Sequence, residues 1–236
     1  MNNTYYETLD ENFTQALKLY EGNYSHEQLI GFLKTGNIVQ KQISALKLDG
    51  INSKNDAEVL LSNLTGQDGK IREAVSMRLN EFMSDKKYSS YFDMAKNYQI
   101  FLDAIIDINA NICRNIINAI INFKNDDIFC SKFCTELIKM TNKLLDTIEK
   151  FNFQEGKYKV NKEVFKLYWC LETIYEFYDK MNLEDLKNII IRSGKIQDYT
   201  IREKTAKILT RNLNDEQLNT IRKDLKNDTN YYVRRF

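Results

Sequence analysis

The chain has 236 residues, with 34 basic against 33 acidic side chains, and 43% of it is hydrophobic. That is enough apolar material for a real core, and too balanced a charge for a disordered chain or a strongly basic nucleic-acid binder. Zero proline and only eight glycines leave few turn formers for sandwiches, barrels or doubly wound sheets, so an all-α fold is expected.

In chain order, residues 8–20 read as a first amphipathic helix: a capping box from Thr8 to Glu11, then Phe13, Ala16, Leu17 and Tyr20. Ser25 and Gln28 form a second capping box before Leu29, Ile30, Phe32 and Leu33. Asp56 precedes Val59, Leu60, Leu61 and Leu64, Asn182 precedes Leu186, Ile189 and Ile190, and Asp215 precedes Leu218, Ile221 and Leu225. Between these lie segments with apolar residues at helical spacing. Ile71, Val75, Leu79 and Phe82 share their offsets with Ile112, Ile116, Ile120 and Phe123, and with Val160, Val164, Tyr168 and Leu171. The anchors Val39, Ile71, Ile112, Val160, Ile201 and Val233 are spaced 32, 41, 48, 41 and 32 residues apart. A longer helix over 131–149 accounts for the widest spacing, and the turn Gln154-Glu155-Gly156-Lys157 leads out of it. The unit is helix, turn, helix, repeated about six times. One such hairpin cannot bury its own apolar face, so the pattern predicts an α-solenoid. Residues 1–24 are expected as an N-terminal capping helix and 25–236 as a single repeat array.

Two units open on the same motif, Asp68-x-x-Ile71-Arg72 and Asp198-x-x-Ile201-Arg202, and Asn230-x-x-Val233-Arg234 repeats it with Asn for Asp. Over residues 27–236 the pattern resembles the HEAT-repeat superfamily. The resemblance implies stacked helical hairpins and a ladder between repeats in which Asp68, Arg72, Asp198 and Arg202 take part.

The residues single out no catalytic constellation. His26 is the sole histidine and follows the cap Ser25, which makes it a first-turn surface residue. Cys130 and Cys134 share a helix face but lack two further zinc ligands, and no phosphate-binding glycine loop is present. No cofactor and no metal are expected.

Two features point to binding. Phe165 and Trp169 fall on a stripe that continues to Glu172 and Glu176, beside a core stripe of Val164, Tyr168, Leu171 and Tyr175. On the concave face of a solenoid these four residues would anchor a protein or peptide partner. The second helices of the hairpins also carry more basic than acidic residues; Arg78, Arg114, Lys204, Lys207 and Arg211 could follow a phosphate backbone. The expected function is therefore a non-enzymatic interaction scaffold. The alternative is nucleic-acid binding, by similarity to a HEAT-like family of DNA glycosylases for alkylated bases, with Trp169 stacking on the nucleotide and Glu172 or Glu176 stabilising cationic character. The first residues lack a basic and apolar leader, and Asp103, Asp107 and Arg114 interrupt the most apolar stretches. No secretion signal and no membrane span are expected, and four reduced cysteines imply a cytoplasmic monomer.

Overall fold

The computed structural model describes residues 3–151, 157–211, 213 and 215–236, with the backbone alone at 3–10, 12 and 157–160. The described residues are all-helical, with no strand among them. Side-chain capping sets most helix starts. Ser25, Asn37 and Ser53 accept backbone N–H bonds at the heads of α2 (His26–Thr35), α3 (Ile38–Lys47) and α4 (Lys54–Leu61). Asp68, Asn109 and Asp126 do the same for α5 (Gly69–Ser84), α8 (Ala110–Ile121) and α9 (Asp127–Ile148). Asn182, Asp198, Asp215 and Asn230 begin α11 (Leu183–Ser193), α12 (Tyr199–Leu209), α13 (Glu216–Lys226) and α14 (Tyr231–Arg234). Each cap satisfies an N–H that the helix itself cannot, worth about 1 kcal/mol. The remaining elements are α1 (Asn3–Glu21), α6 (Lys86–Ser89), α7 (Met94–Ala104), α10 (Lys157–Phe177) and a single 3-10 turn over Tyr178–Lys180. The helix start expected at Thr8 is not where α1 begins: the helix already runs through it from Asn3. The turn residues 154–156 and the Val160 side chain lie outside the described residues.

The chain divides into two compact units, Met1–Ile100 with Asn109–Asn122, and Phe101–Ile108 with Phe123–Phe236. In the first, α2 packs on α3 and α4, α3 packs on α5, and α5 packs on α8, while α1 lies against α3. The shared apolar offsets supply the contact: Ile71, Val75, Leu79, Ile112, Ile116 and Ile120 are all buried. Burying each such side chain contributes about 1.5–3 kcal/mol. Asp56, which precedes the apolar run, does not begin α4. Ser53 is the cap, and Asp56 sits in the first turn. The stretch holding α6 and α7 carries no capping box or repeated offset, and periodicity did not single it out.

In the second unit α9 packs on α10, α10 on α12, and α12 on α14, while α11 joins α9, α12 and α13. Phe129 and Phe133 stack at 5.1 Å, and Phe177 closes on Phe133 at 5.4 Å. Arg192 of α11 binds Glu149 through Nε at 2.9 Å and Nη2 at 2.8 Å, and reaches Asp146 at 2.5 Å. Thr205, where the repeat calls for an apolar residue, is fully buried. Its hydroxyl lies 2.9 Å from the Ile201 carbonyl and 2.8 Å from Ser193 Oγ, which satisfies a polar group inside the core.

Candidate functional site

The Asp-x-x-Ile-Arg motif has a local logic. Asp68, Asp198 and Asn230 each accept the N–H two residues ahead, at 2.9, 2.8 and 2.9 Å. The arginine four residues on folds back over the preceding turn. Arg202 Nη1 donates to the carbonyls of Ile196 (2.9 Å) and Gln197 (2.6 Å), and Arg234 Nη1 donates to Asp228 (3.0 Å) and Thr229 (2.9 Å). Arg72 donates likewise to the Gln67 carbonyl. Asp68 and Asp198 thus cap their own helices. Arg202 also reaches forward to Asp228, at 2.6 Å from Nε and 3.2 Å from Nη2. The Arg202 guanidinium holds the Asp228 carboxyl below the usual carboxylate range, against the opposing effect of burial.

The expected acidic patch and the expected basic row meet each other in the second unit. Lys204 and Lys207 both donate to Glu172, each at 2.6 Å and one to each oxygen. Burial opposes ionisation of Glu172, but the two lysine bonds outweigh it and its pKa falls below the ordinary value. Burial likewise opposes the charge on Lys204, and the Glu172 bond wins, so that pKa is raised. Tyr168 lies under Lys204 at 4.4 Å and Tyr175 under Lys207 at 4.1 Å. Arg211 stacks on Tyr175 at 3.9 Å and Tyr178 at 5.0 Å, with Glu176 at 3.9 Å. Tyr168 and Tyr175, expected in the core stripe, are half-buried beneath these cations. The core face of α10 runs instead through Leu167, Cys170, Leu171, Ile174 and Phe177.

Trp169 is 6% exposed, so it packs inside rather than offering a ring to a guest. Phe165 meets it edge-on at 6.2 Å and Tyr168 at 5.2 Å. Its indole N–H is buried and meets no acceptor among the described residues. In the first unit, Arg78 donates to the Ala45 carbonyl at 3.3 Å and to the Leu46 carbonyl, closing the end of α3, and pairs with Glu81. Arg114 is exposed, 3.4 Å from Asn111. Of the five arginines and lysines expected on phosphate, four are thus engaged within the fold.

His26 is not the free surface residue its position implied. Nε2 lies 3.0 Å from Asp56 Oδ2, which also accepts the Asn52 N–H at 3.1 Å. Burial raises the Asp56 pKa, but the bonds from His26, Ser53 and Asn52 carry it below the usual value. The ring makes no other hydrogen bond among the described residues, so it holds α2 to α4 without a nucleophile to activate. Cys113, Cys130, Cys134 and Cys170 are all buried and form no disulfide among the described residues. Burial pushes the Cys134 and Cys170 thiols up to about 12, which keeps them protonated. No group of three or more His, Cys, Asp or Glu side chains that could hold a metal occurs among the described residues, nor any helix long and apolar enough to cross a membrane.

Apolar periodicity does not single out the exposed aromatics of the second unit; a Tyr after the cap in two copies is their one sequence mark. Tyr199, Tyr231 and Tyr232 are 42%, 64% and 51% exposed. Tyr199 and Tyr232 lie 6.3 Å apart, and Tyr231 meets Tyr232 edge-on at 5.8 Å. Arg235 reaches over Tyr232 at 5.5 Å and is held by Glu203 at 2.6 Å. Tyr199 and Tyr231 each follow a cap, Asp198 and Asn230, and packing of α12 on α14 brings them to one ledge.

No family model matches the chain, and no curated protein matches it. Among solved structures, the crystal structure of an engineered protein is similar to it at 12% identity and a TM-score of 0.48, over 90% of this chain and 93% of the other.

Proposed function

We propose that the protein is a non-enzymatic interaction module, an α-solenoid of HEAT-like hairpins that binds a protein or peptide partner. The packing order supports the solenoid, because second helices follow one another as α3, α5 and α8 in one unit and α10, α12 and α14 in the other. The observation that carries the function is the tyrosine ledge. Tyrosine and arginine dominate the energetic centres of protein interfaces, since they bury large area at small entropic cost. Tyr199, Tyr231, Tyr232 and Arg235 offer that chemistry on a surface where most charges nearby are already paired. The concave patch centred on Trp169 gives way to this ledge. Four buried cysteines in no disulfide suit a reducing cytoplasm.

Glycosylase chemistry gains no support from the same residues. A ring 6% exposed cannot stack on a nucleotide, and Glu172 is committed to two lysines.

The test is capture from cell lysate by the whole chain against a Tyr231→Ser/Tyr232→Ser variant with unchanged helical circular dichroism. A specific partner should be lost, with affinity falling about 30-fold or more. Equal capture of every partner by both proteins would remove the ledge as the binding surface.

A further inference from the structure

Cys130 and Cys134 stand one turn apart on α9, and the tyrosine ledge makes no use of them. Both line a cavity of about 290 Å³ between the first half of α9 and the segment leading into α11. Met181, just before the α11 cap Asn182, lines it too. Three sulfur-bearing residues thus meet at one cavity. The spacing of the cysteines names two ligands, and the fold brings the third from a distant stretch of chain.

The helix sets the distance between the thiols. Side chains four residues apart have Cβ atoms about 5–6 Å from each other. Two thiolates on one ion, each about 2.3 Å from it, stand at most about 4.6 Å apart. The Cβ–S bonds close that gap by leaning together. Cys130 spends its proton on the Lys124 carbonyl, 3.3 Å from Sγ, which leaves the sulfur lone pairs as donors to a metal.

The donor set selects the ion. Asp127 and Asp185 also line the cavity, yet no three of the Cys, His, Asp and Glu side chains come together to hold a metal among the described residues. The third donor is therefore the thioether. Zinc takes four ligands from thiolate, imidazole and carboxylate, whereas thiolate and thioether together select monovalent copper. Charge favours the same outcome. Burial holds both thiols protonated, and the ammonium groups of Lys180 and Lys124 act on both in the opposite sense. Lys180 lines the cavity itself.

We propose that Cys130, Cys134 and Met181 bind one copper(I) ion as a three-sulfur site, with Lys180 balancing its charge. The site is separate from the tyrosine ledge and does not depend on it. Each thiol releases its proton to solvent as its sulfur binds, and the thioether releases none. Uptake of one copper(I) ion therefore frees two protons and leaves the centre with one net negative charge.

The test is anaerobic titration of the whole reduced chain with copper(I) against the chromogenic competitor bicinchoninate, followed by X-ray absorption at the copper edge. One ion per chain should be held in a shell of three sulfurs, with two protons released. Zinc should bind about 100-fold or more weaker. Cys130→Ala and Cys134→Ala should each weaken copper(I) binding about 100-fold or more, and Met181→Leu about tenfold, with the shell falling to two sulfurs. Cys113→Ala, outside the cavity, should bind as the native chain does. A native chain that takes no copper(I) from the competitor, zinc held as tightly, or a shell containing nitrogen, oxygen or only two sulfurs would each overturn the proposal. So would an unchanged shell in Met181→Leu. Should the cysteine variants fail to fold, the native shell and Met181→Leu decide the matter.

Discussion

Arg202 and Asp228 form a two-point ion pair, Nε to Oδ2 at 2.6 Å and Nη2 to Oδ1 at 3.2 Å, while the same guanidinium holds two loop carbonyls. Both partners are largely buried. Arg202→Ala should therefore cost about 2–4 kcal/mol in urea unfolding, with Asp228→Asn costing less because an acceptor remains. The folded pKa of Asp228 is depressed. Its contribution is present above the unfolded pKa and disappears as pH falls through the folded one, so the gap between wild type and Asp228→Asn should close below about pH 4.

Asn230 performs the capping that Asp198 performs, at nearly the same distance. Asp198→Asn should accordingly change stability by less than about 0.5 kcal/mol, whereas Asp198→Ala should cost about 1 kcal/mol. Thermal melts of the two variants distinguish a cap from a ladder rung, because a rung would lose its charge in both.

Glu172 is the shared partner of Lys204 and Lys207. Its lowered pKa and the raised pKa of Lys204 bound a pH window. The carboxylate's share is lost as pH falls through its folded pKa, and the ammonium's as pH rises through its own. The cluster should stabilise fully from about pH 5 to about pH 10. Glu172→Ala should cost about 2 kcal/mol and uncover two cations. At low salt that variant should retard single-stranded DNA in a gel, and the wild type should not.

Trp169 is the chain's one tryptophan, which makes its fluorescence a direct reading of the core. Emission should be blue-shifted and poorly quenched by iodide in the folded protein. Trp169→Ala should cost about 3–5 kcal/mol. Trp169→Phe should cost about 1 kcal/mol or less, since it also removes an indole N–H without an acceptor.

The four thiols should react with a chromogenic disulfide more than about 100-fold slower in the native protein than in urea. With Cys134 and Cys170 pushed up to about 12, raising the pH from 7 to 9 should leave their native rate limited by opening of the fold.

Helices were legible because their beginnings are chemical. Ser25 with Gln28, Asn182 and Asp215 each announce a start, and the apolar offsets from Ile71 and Ile112 name the buried face correctly. α6 and α7 escaped because a four-residue helix and a run without a box leave no period to measure. Side-chain roles were harder. Periodicity assigns a residue to a face and says nothing of what stands opposite. Glu172 and Lys204 are 32 residues apart, so each read as an open charge when in fact they neutralise one another. His26 and Asp56, 30 residues apart, were hidden for the same reason. Trp169 lies at the border between two stripes, where a small rotation of the helix decides between surface and core.

The fold-back of arginine onto its own turn is self-contained. Cap, guanidinium and the carbonyls it secures all fall within one short stretch, Ile196 to Arg202 in one copy and Asp228 to Arg234 in another. A hairpin that brings its own fastening can be duplicated or deleted as a cassette, leaving the fastenings of its neighbours whole. Lengthening or shortening such a chain by gene rearrangement then requires new apolar complementarity at the joins and a new partner for an arginine such as Arg202, which pairs with Asp228 of the next copy.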